Sequence, residues 1–139
     1  MKKKILVIED DEDIRSALTF QLVKQGFIVS TAEDGEEGLK EIREEIPDLV
    51  ILDLGLPKLA GEEVCKTVKD GYDKTLRDIP IIMLTAKTGE VDRVVGGVIG
   101  ASRYITKPFE DEELMKEIQR CLYPGNVKNF PSTGSKAPE

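Results

Sequence analysis

The chain has 139 residues, 40% of them apolar and 34% charged, with a net charge of −7 and no histidine. That is the size and composition of one domain able to bury a core, not of a disordered segment. No apolar run approaches the roughly 18 residues of a membrane span, no signal peptide follows the lysines at the start, and the acidic balance opposes direct nucleic-acid contact.

Two cysteines, Cys65 and Cys121, fall in separate segments and form no C-x-x-C pair, so a reduced, cytoplasmic chain is expected. Without histidine the commonest general base and the usual zinc ligand are missing, and any metal site must be built from oxygen.

In chain order, the apolar run Ile5-Leu6-Val7-Ile8 predicts a first strand, and Ile14, Ala17, Leu18 and Leu22 a helical face after it. Phe27-Ile28-Val29 predicts a second, shorter strand. A second helix follows on Leu39, Ile42 and Ile46, with Asp34 and Glu37 spaced as a capping box at its start. Leu49-Val50-Ile51-Leu52 is the third strand, and Val64 and Val68 mark a short third helix. After the fourth strand, Ile81-Ile82-Met83-Leu84, residues Val91, Val94, Val95, Val98 and Ile99 keep helical spacing. Gly96, Gly97 and Gly100 each lower the propensity there by about 1 kcal/mol, which makes this fourth helix the least stable. Tyr104-Ile105 predicts a fifth strand. Leu114, Ile118, Cys121 and Leu122 form the fifth helix, with Glu110, Asp111, Glu112 and Glu113 at the positive end of its dipole. Beyond Leu122 the Pro-, Gly- and Ser-rich composition predicts a flexible tail or linker over 123–139, leaving 1–122 as the folded domain.

Strands alternating with helices predict an α/β fold, a doubly wound five-stranded parallel sheet with five helices. The first, third and fourth runs are continuously apolar and central, while the second and fifth are edges, which favours the order 2-1-3-4-5.

Ligands of such sheets bind outside the carboxyl ends of the strands. There the chain carries Glu9, Asp10 and Asp11 after the first strand, Asp53 after the third, Thr85 after the fourth and, beyond Thr106, Lys107 after the fifth. Each has an ordinary explanation: helix-terminal charge for the acidic run, a turn residue for Asp53, a strand end for Thr85, a surface lysine for Lys107. Together they make one coherent site. Clustered carboxylates repel one another unless a hard cation lies between them, and magnesium, which prefers oxygen ligands, suits that place. With it bound, Asp53 attacks phosphorus to give an acyl phosphate, Lys107 neutralises a phosphoryl oxygen and the Thr85 hydroxyl donates to another.

The segments Ile5-Leu6-Val7-Ile8-Glu9-Asp10-Asp11, Asp53-Leu54-Gly55-Leu56-Pro57 with Gly61, Leu84-Thr85-Ala86-Lys87 and Tyr104-Ile105-Thr106-Lys107-Pro108-Phe109 carry a resemblance. Over roughly residues 3 to 122 the chain resembles the receiver domain of two-component response regulators. The resemblance implies a flavodoxin-like fold and an acidic pocket of Glu9 and Asp10. It implies Asp53 as phosphoacceptor, the Gly55 backbone carbonyl as a magnesium ligand and Lys107 as the phosphate-binding lysine, with a cis peptide before Pro108. Thr85 and Tyr104 become a switch pair that changes rotamer on activation; for Tyr104, plain packing on an edge strand stays open. The implied partners are a sensor histidine kinase or phosphotransfer protein upstream and a target or effector domain downstream. The expected activity is a signalling switch whose chemistry is confined to its own phosphorylation and dephosphorylation.

Ser102 and Arg103 stand where many receivers of transcription factors carry two acids, so a monomer is expected in the unphosphorylated state. A constitutive interaction module is the main competing reading. A nucleotide- or flavin-binding domain would need a glycine- or hydroxyl-rich phosphate loop where Glu9-Asp10-Asp11 stands. An aspartate-based phosphatase would need a second aspartate where Gly55 stands.

Overall fold

A computed structural model describes residues 2–56, 58–85 and 103–124. The described strands are β1 (Lys4–Ile8), β2 (Ile28–Ala32), β3 (Leu49–Asp53), β4 (Ile81–Thr85) and β5 (Arg103–Thr106). All pair in parallel in one sheet of order β2-β1-β3-β4-β5, the order expected from the sequence. The described helices are α1 (Glu12–Lys24), α2 (Gly35–Glu45), α3 (Gly61–Asp70), the short α4 (Lys74–Arg77) and α5 (Asp111–Leu122).

Alternate residues of the central strands point to opposite faces. Leu6, Ile8, Val50, Leu52, Ile81 and Met83 pack with Ile42 of α2 and Val64, Cys65 and Val68 of α3. Ile5, Val7, Leu49, Ile51, Ile82, Leu84 and Ile105 pack with Leu18 and Leu22 of α1 and Leu114 and Ile118 of α5. The same parity, carried past the strand ends, sends Glu9, Asp53 and Lys107 to the α1/α5 side and Thr85 and Tyr104 to the α3 side. Apolar patterning thus places the polar residues that end each strand.

Helix ends follow local chemistry. Asp11 caps α1, its carboxylate accepting from the amides of Asp13 and Ile14. Asp34 caps α2, accepting from Glu37 N at 2.8 Å, while the Glu37 carboxylate reaches back to Glu33 N at 2.9 Å, one residue before the cap. The expected capping box is present in that displaced form.

Three expectations are corrected, and one short helix was not foreseen. β2 runs Ile28–Ala32 rather than over 27–29, because on an edge strand Ser30 and Thr31 stay polar and the apolar run ends before the ladder does. Ile46 is not on the buried face of α2; it is the C-cap, left-handed at φ 48° and exposed. Ala17 faces outward from α1, next to Pro108 and Phe109. The helix α4, with Leu76 as its one large apolar residue, has too few for periodicity to reveal it; its signal is the Asp73 cap, bonded to Thr75 N and Leu76 N. The expected helix over Val91–Ile99 and residues 125–139 of the expected tail lie outside the described residues.

Cys65 in α3 and Cys121 in α5 belong to packing on opposite faces of the sheet, and neither is in a disulfide. Burial pushes each thiol up to about 11, so little thiolate exists at neutral pH. A disulfide reagent at pH 8 is expected to react slowly with native protein and to count two thiols after denaturation without reductant. A count of zero in a monomer would contradict the topology.

Candidate functional site

The carboxyl edge of the sheet is where the strand-terminal residues meet. Ile8 pairs with Leu52, so the residues that follow them, Glu9 and Asp53, become neighbours. Glu9 extends the β1 ladder by one bond, its amide donating to Ala32 O at 3.0 Å. Glu9 is 1% exposed and Asp53 6% exposed, whereas Asp10 is open to solvent. One ligand oxygen from each of Glu9, Asp10 and Asp53 lies within 4.8 Å of the others.

Lys107 enters this cluster from the end of β5, across the end of β4. Its Nζ donates to Glu9 Oε1 at 3.1 Å and to Asp53 Oδ1 at 3.0 Å. The backbone that delivers it is tied down: Lys107 N donates to Thr85 O at 2.6 Å, and the Lys107–Pro108 bond is cis, as the sequence resemblance implies. Burial works against the lysine's charge, but the Asp53 carboxylate and then that of Glu9 outweigh it and raise its pKa. Burial chiefly raises the Glu9 carboxyl; the Asp11 amide opposes it, Asp53 adds repulsion, and Lys107 pulls down again.

Thr85 ends β4, buried, beside the paired Thr106, and Asp53 sits in register with Leu84 one residue before it. Leu54 N donates to Leu84 O at 2.9 Å, which keeps the chain leaving Asp53 against β4. Tyr104 is half-buried, paired with Met83 and packed against the α3-side core. Gly55 stands beside Asp53: a Cβ there would make ordinary contact with Asp53 Oδ2 at 3.8 Å. Thus Glu9, Asp10, Asp53 and Lys107 are in one cluster, Thr85 and Gly55 border it, and Tyr104 lies one strand position beyond on the opposite face.

The acidic run divides its labour. Asp11 caps α1, and Glu12 and Asp13 fill the first helical turn, the plain reading for those three. Glu9 instead turns into the buried cluster. The sequence reading missed Arg15, whose guanidinium donates to Glu9 O at 2.8 Å and Asp10 O at 3.4 Å and stands 4.0 Å from Glu33. It holds the backbone of the two acids from the first turn of α1. Its only sequence signal is a basic residue two positions after the acidic run, which is weak.

Comparison with known proteins places this geometry. Residues 5–119 match the family described as the response regulator receiver domain. The chain is 47% identical over 122 residues to the alkaline phosphatase synthesis transcriptional regulatory protein PhoP of Bacillus subtilis, covering 88% of this chain and 49% of that protein. It therefore spans about half the length of that curated relative. Among solved structures it is similar to the chemotaxis protein CheY4 of Vibrio cholerae, with a TM-score of 0.82, 33% identity, and coverage of 88% of this chain and 100% of the other. It is also similar to the receiver domain of the sensor histidine kinase PA1611 of Pseudomonas aeruginosa, solved with a magnesium ion in the active-site cleft. There the TM-score is 0.80 and the identity 27%, over 88% of this chain and 98% of the other. The sheet order agrees with those structures, and the chain belongs to the response regulator receiver domains, the phosphorylation-dependent switches of two-component signalling.

Proposed function

We propose that Asp53 is the phosphoacceptor and that Glu9, Asp10 and Asp53, with the backbone carbonyl of Gly55, hold a magnesium ion beside it. The observation that carries this is Lys107 Nζ at 3.1 and 3.0 Å from Glu9 and Asp53 within a three-carboxylate cluster. A donor set made only of oxygens, two of its three carboxylates buried, fits a small hard dication. Bound there, magnesium would neutralise charge on an incoming phosphoryl group.

The chain's own residues supply the rest. A carboxylate oxygen of Asp53 attacks phosphorus; the P–O bond forms as the P–N bond of a phosphohistidine breaks, and the departing imidazole takes up a proton. Since this chain has no histidine, the donor belongs to a sensor histidine kinase or phosphotransfer protein. Lys107, already held between the two acids, is placed to exchange its carboxylate contacts for a phosphoryl oxygen. Thr85, at the end of the neighbouring strand, offers its hydroxyl to another. Thr85 and Tyr104 form the switch: strand parity puts both on the α3 side, so a movement of the threonine toward the phosphoryl group frees space for the tyrosine. The chemistry is confined to the chain itself, in the cytoplasm, with 1–122 as the receiver and 123–139 as tail or linker.

The output is a change of surface read by a target or effector domain, a reading supported by the likeness to a transcriptional regulatory protein. The unphosphorylated chain is a monomer that binds neither membrane nor nucleic acid directly. Supporting the monomer, Arg103 is engaged internally, its Nε 3.3 Å from Glu117, which also accepts from Arg120 at 2.9 Å. Among the described residues no helix is long and apolar enough to cross a membrane.

Two measurements test the assignment. Magnesium is expected to stabilise the folded chain by about 1.4 kcal/mol at ten times its Kd and so to raise the melting temperature. Asp10→Asn relieves repulsion at an exposed acid. Without metal it should melt slightly above wild type, by roughly 1–4 °C, while gaining less from magnesium and taking up phosphate at least tenfold more slowly. A lower metal-free melting temperature for Asp10→Asn would count against the metal site. With acetyl phosphate or phosphoramidate and intact-mass detection, wild type should gain one phosphoryl group and Asp53→Asn none; uptake by the variant at the wild-type rate would remove Asp53 as acceptor.

A further inference from the structure

The acceptor's side chain is fixed by Lys107, but its backbone has a second support that no charged residue provides. α3 begins at Gly61 without a side-chain cap, its preceding residue Ala60 having none to give. Gly61 lies directly on the acceptor's main chain. A Cβ there would overlap the Asp53 carbonyl oxygen, stand 3.0 Å from Leu54 Cα and 3.2 Å from Asp53 C. Gly61 N also donates to Leu54 O at 3.4 Å. The chain leaving Asp53 returns two residues earlier, at Leu59, to meet the start of α2. A Cβ on Gly35 would overlap Leu59 O and stand 2.7 Å from its carbonyl carbon. Beside that contact Lys58 Nζ lies 3.6 Å from Asp34, the α2 cap.

Both close approaches are backbone on backbone, so neither can be relieved by a rotamer change; a side chain at either glycine moves main chain. Gly38 offers the contrast. A Cβ there would stand 2.5 Å from Ile8 Cδ1 and 3.0 Å from Ile8 Cγ1 and Cγ2, all of them side-chain atoms and none of them main chain. All three glycines are buried in helices, and only two of them press on the segment that carries the acceptor.

We propose that Gly61 and Gly35 are positioning residues for phosphoryl transfer, Gly61 by seating the Asp53 main chain and Gly35 by seating Leu59, so that the acceptor and Gly55 stay aligned with Glu9 and Asp10. The proposal rests on Asp53 being the acceptor. It makes the first turn of α2, which supplies no group to the site, a determinant of phosphorylation and metal affinity.

The experiment compares the full chain as wild type, Gly61→Ala, Gly35→Ala and Gly38→Ala. Circular dichroism sets a temperature at which the folded fraction is known. Magnesium Kd comes from isothermal titration, and the rate of uptake from phosphoramidate at saturating magnesium from intact mass. All three variants should melt lower than wild type. Per folded molecule, Gly61→Ala should weaken magnesium binding and slow uptake about tenfold or more, Gly35→Ala about threefold or more, and Gly38→Ala less than twofold in either. Gly61→Ala and Gly35→Ala matching Gly38→Ala in both readouts would overturn the proposal. Should Gly61→Ala not fold, Gly35→Ala decides; failure of both to fold would also overturn it, by making the contacts requirements of the fold rather than of the site. Wild type that takes up no phosphate would instead refute the acceptor assignment, a result distinct from equal rates among the variants.

Discussion

The ammonium of Lys107, standing between the carboxylates of Glu9 and Asp53, is the interaction on which the site depends. Two buried acids side by side would repel, and a lysine half withdrawn from water would favour its neutral form. Brought together at about hydrogen-bonding distance, each offsets the desolvation of the others. The raised pKa of Lys107 shows that the acids prevail over burial, and that of Glu9 shows that its own desolvation is not fully repaid. Removing the lysine would leave Glu9, 1% exposed, without its counter-charge, a situation that costs about 3–5 kcal/mol in buried pairs generally. A cluster tense in this way is ready for a change of partners. On the proposed function, the acids would hold an incoming dication and the lysine would pass to an incoming phosphoryl group.

The alignment of these three side chains begins with the sheet. Parallel pairing of β1 with β3 makes Glu9 and Asp53 neighbours, and β4 lies between β3 and β5, so that Lys107 must reach across the end of β4 to the acids. The bond from Lys107 N to Thr85 O fixes where that reach begins. Arg15, from the first turn of α1, holds the carbonyls of Glu9 and Asp10. Gly61 and Gly35 hold the chain around Asp53 from the α3 side. The cluster is therefore gripped from both faces of the sheet, and the residues doing the gripping are mostly backbone groups, an arginine and glycines rather than the acids themselves.

What the sequence disclosed follows the strength of its physical signals. Continuous apolar runs at β1, β3 and β4 reflect burial on both faces, so the central strands and the sheet order were legible, and the strand-end rule then located Glu9, Asp53, Thr85 and Lys107. Asp34 and Glu37 disclosed the start of α2 because capping uses fixed spacings. Weak signals misled. β2 on the edge keeps Ser30 and Thr31 in its ladder, Ile46 continues the apolar spacing of α2 although the helix has already ended, and α4 has almost no apolar face. Arg15 and the glycine contacts were not legible, since spacing says nothing of a guanidinium that bonds carbonyls or of two backbones in contact. The family resemblance supplied roles for Gly55 and Tyr104 that residue types alone do not indicate.

The most direct test of the account is to locate the phosphoryl group itself. After reaction with phosphoramidate in the presence of magnesium, borohydride reduces an acyl phosphate to the corresponding alcohol, and peptide mapping finds the altered residue. Homoserine is expected in place of Asp53, with Glu9 and Asp10 unchanged. Reduction at Glu9 or Asp10, or a phosphoryl group stable to borohydride on a hydroxyl such as that of Thr85, would contradict it.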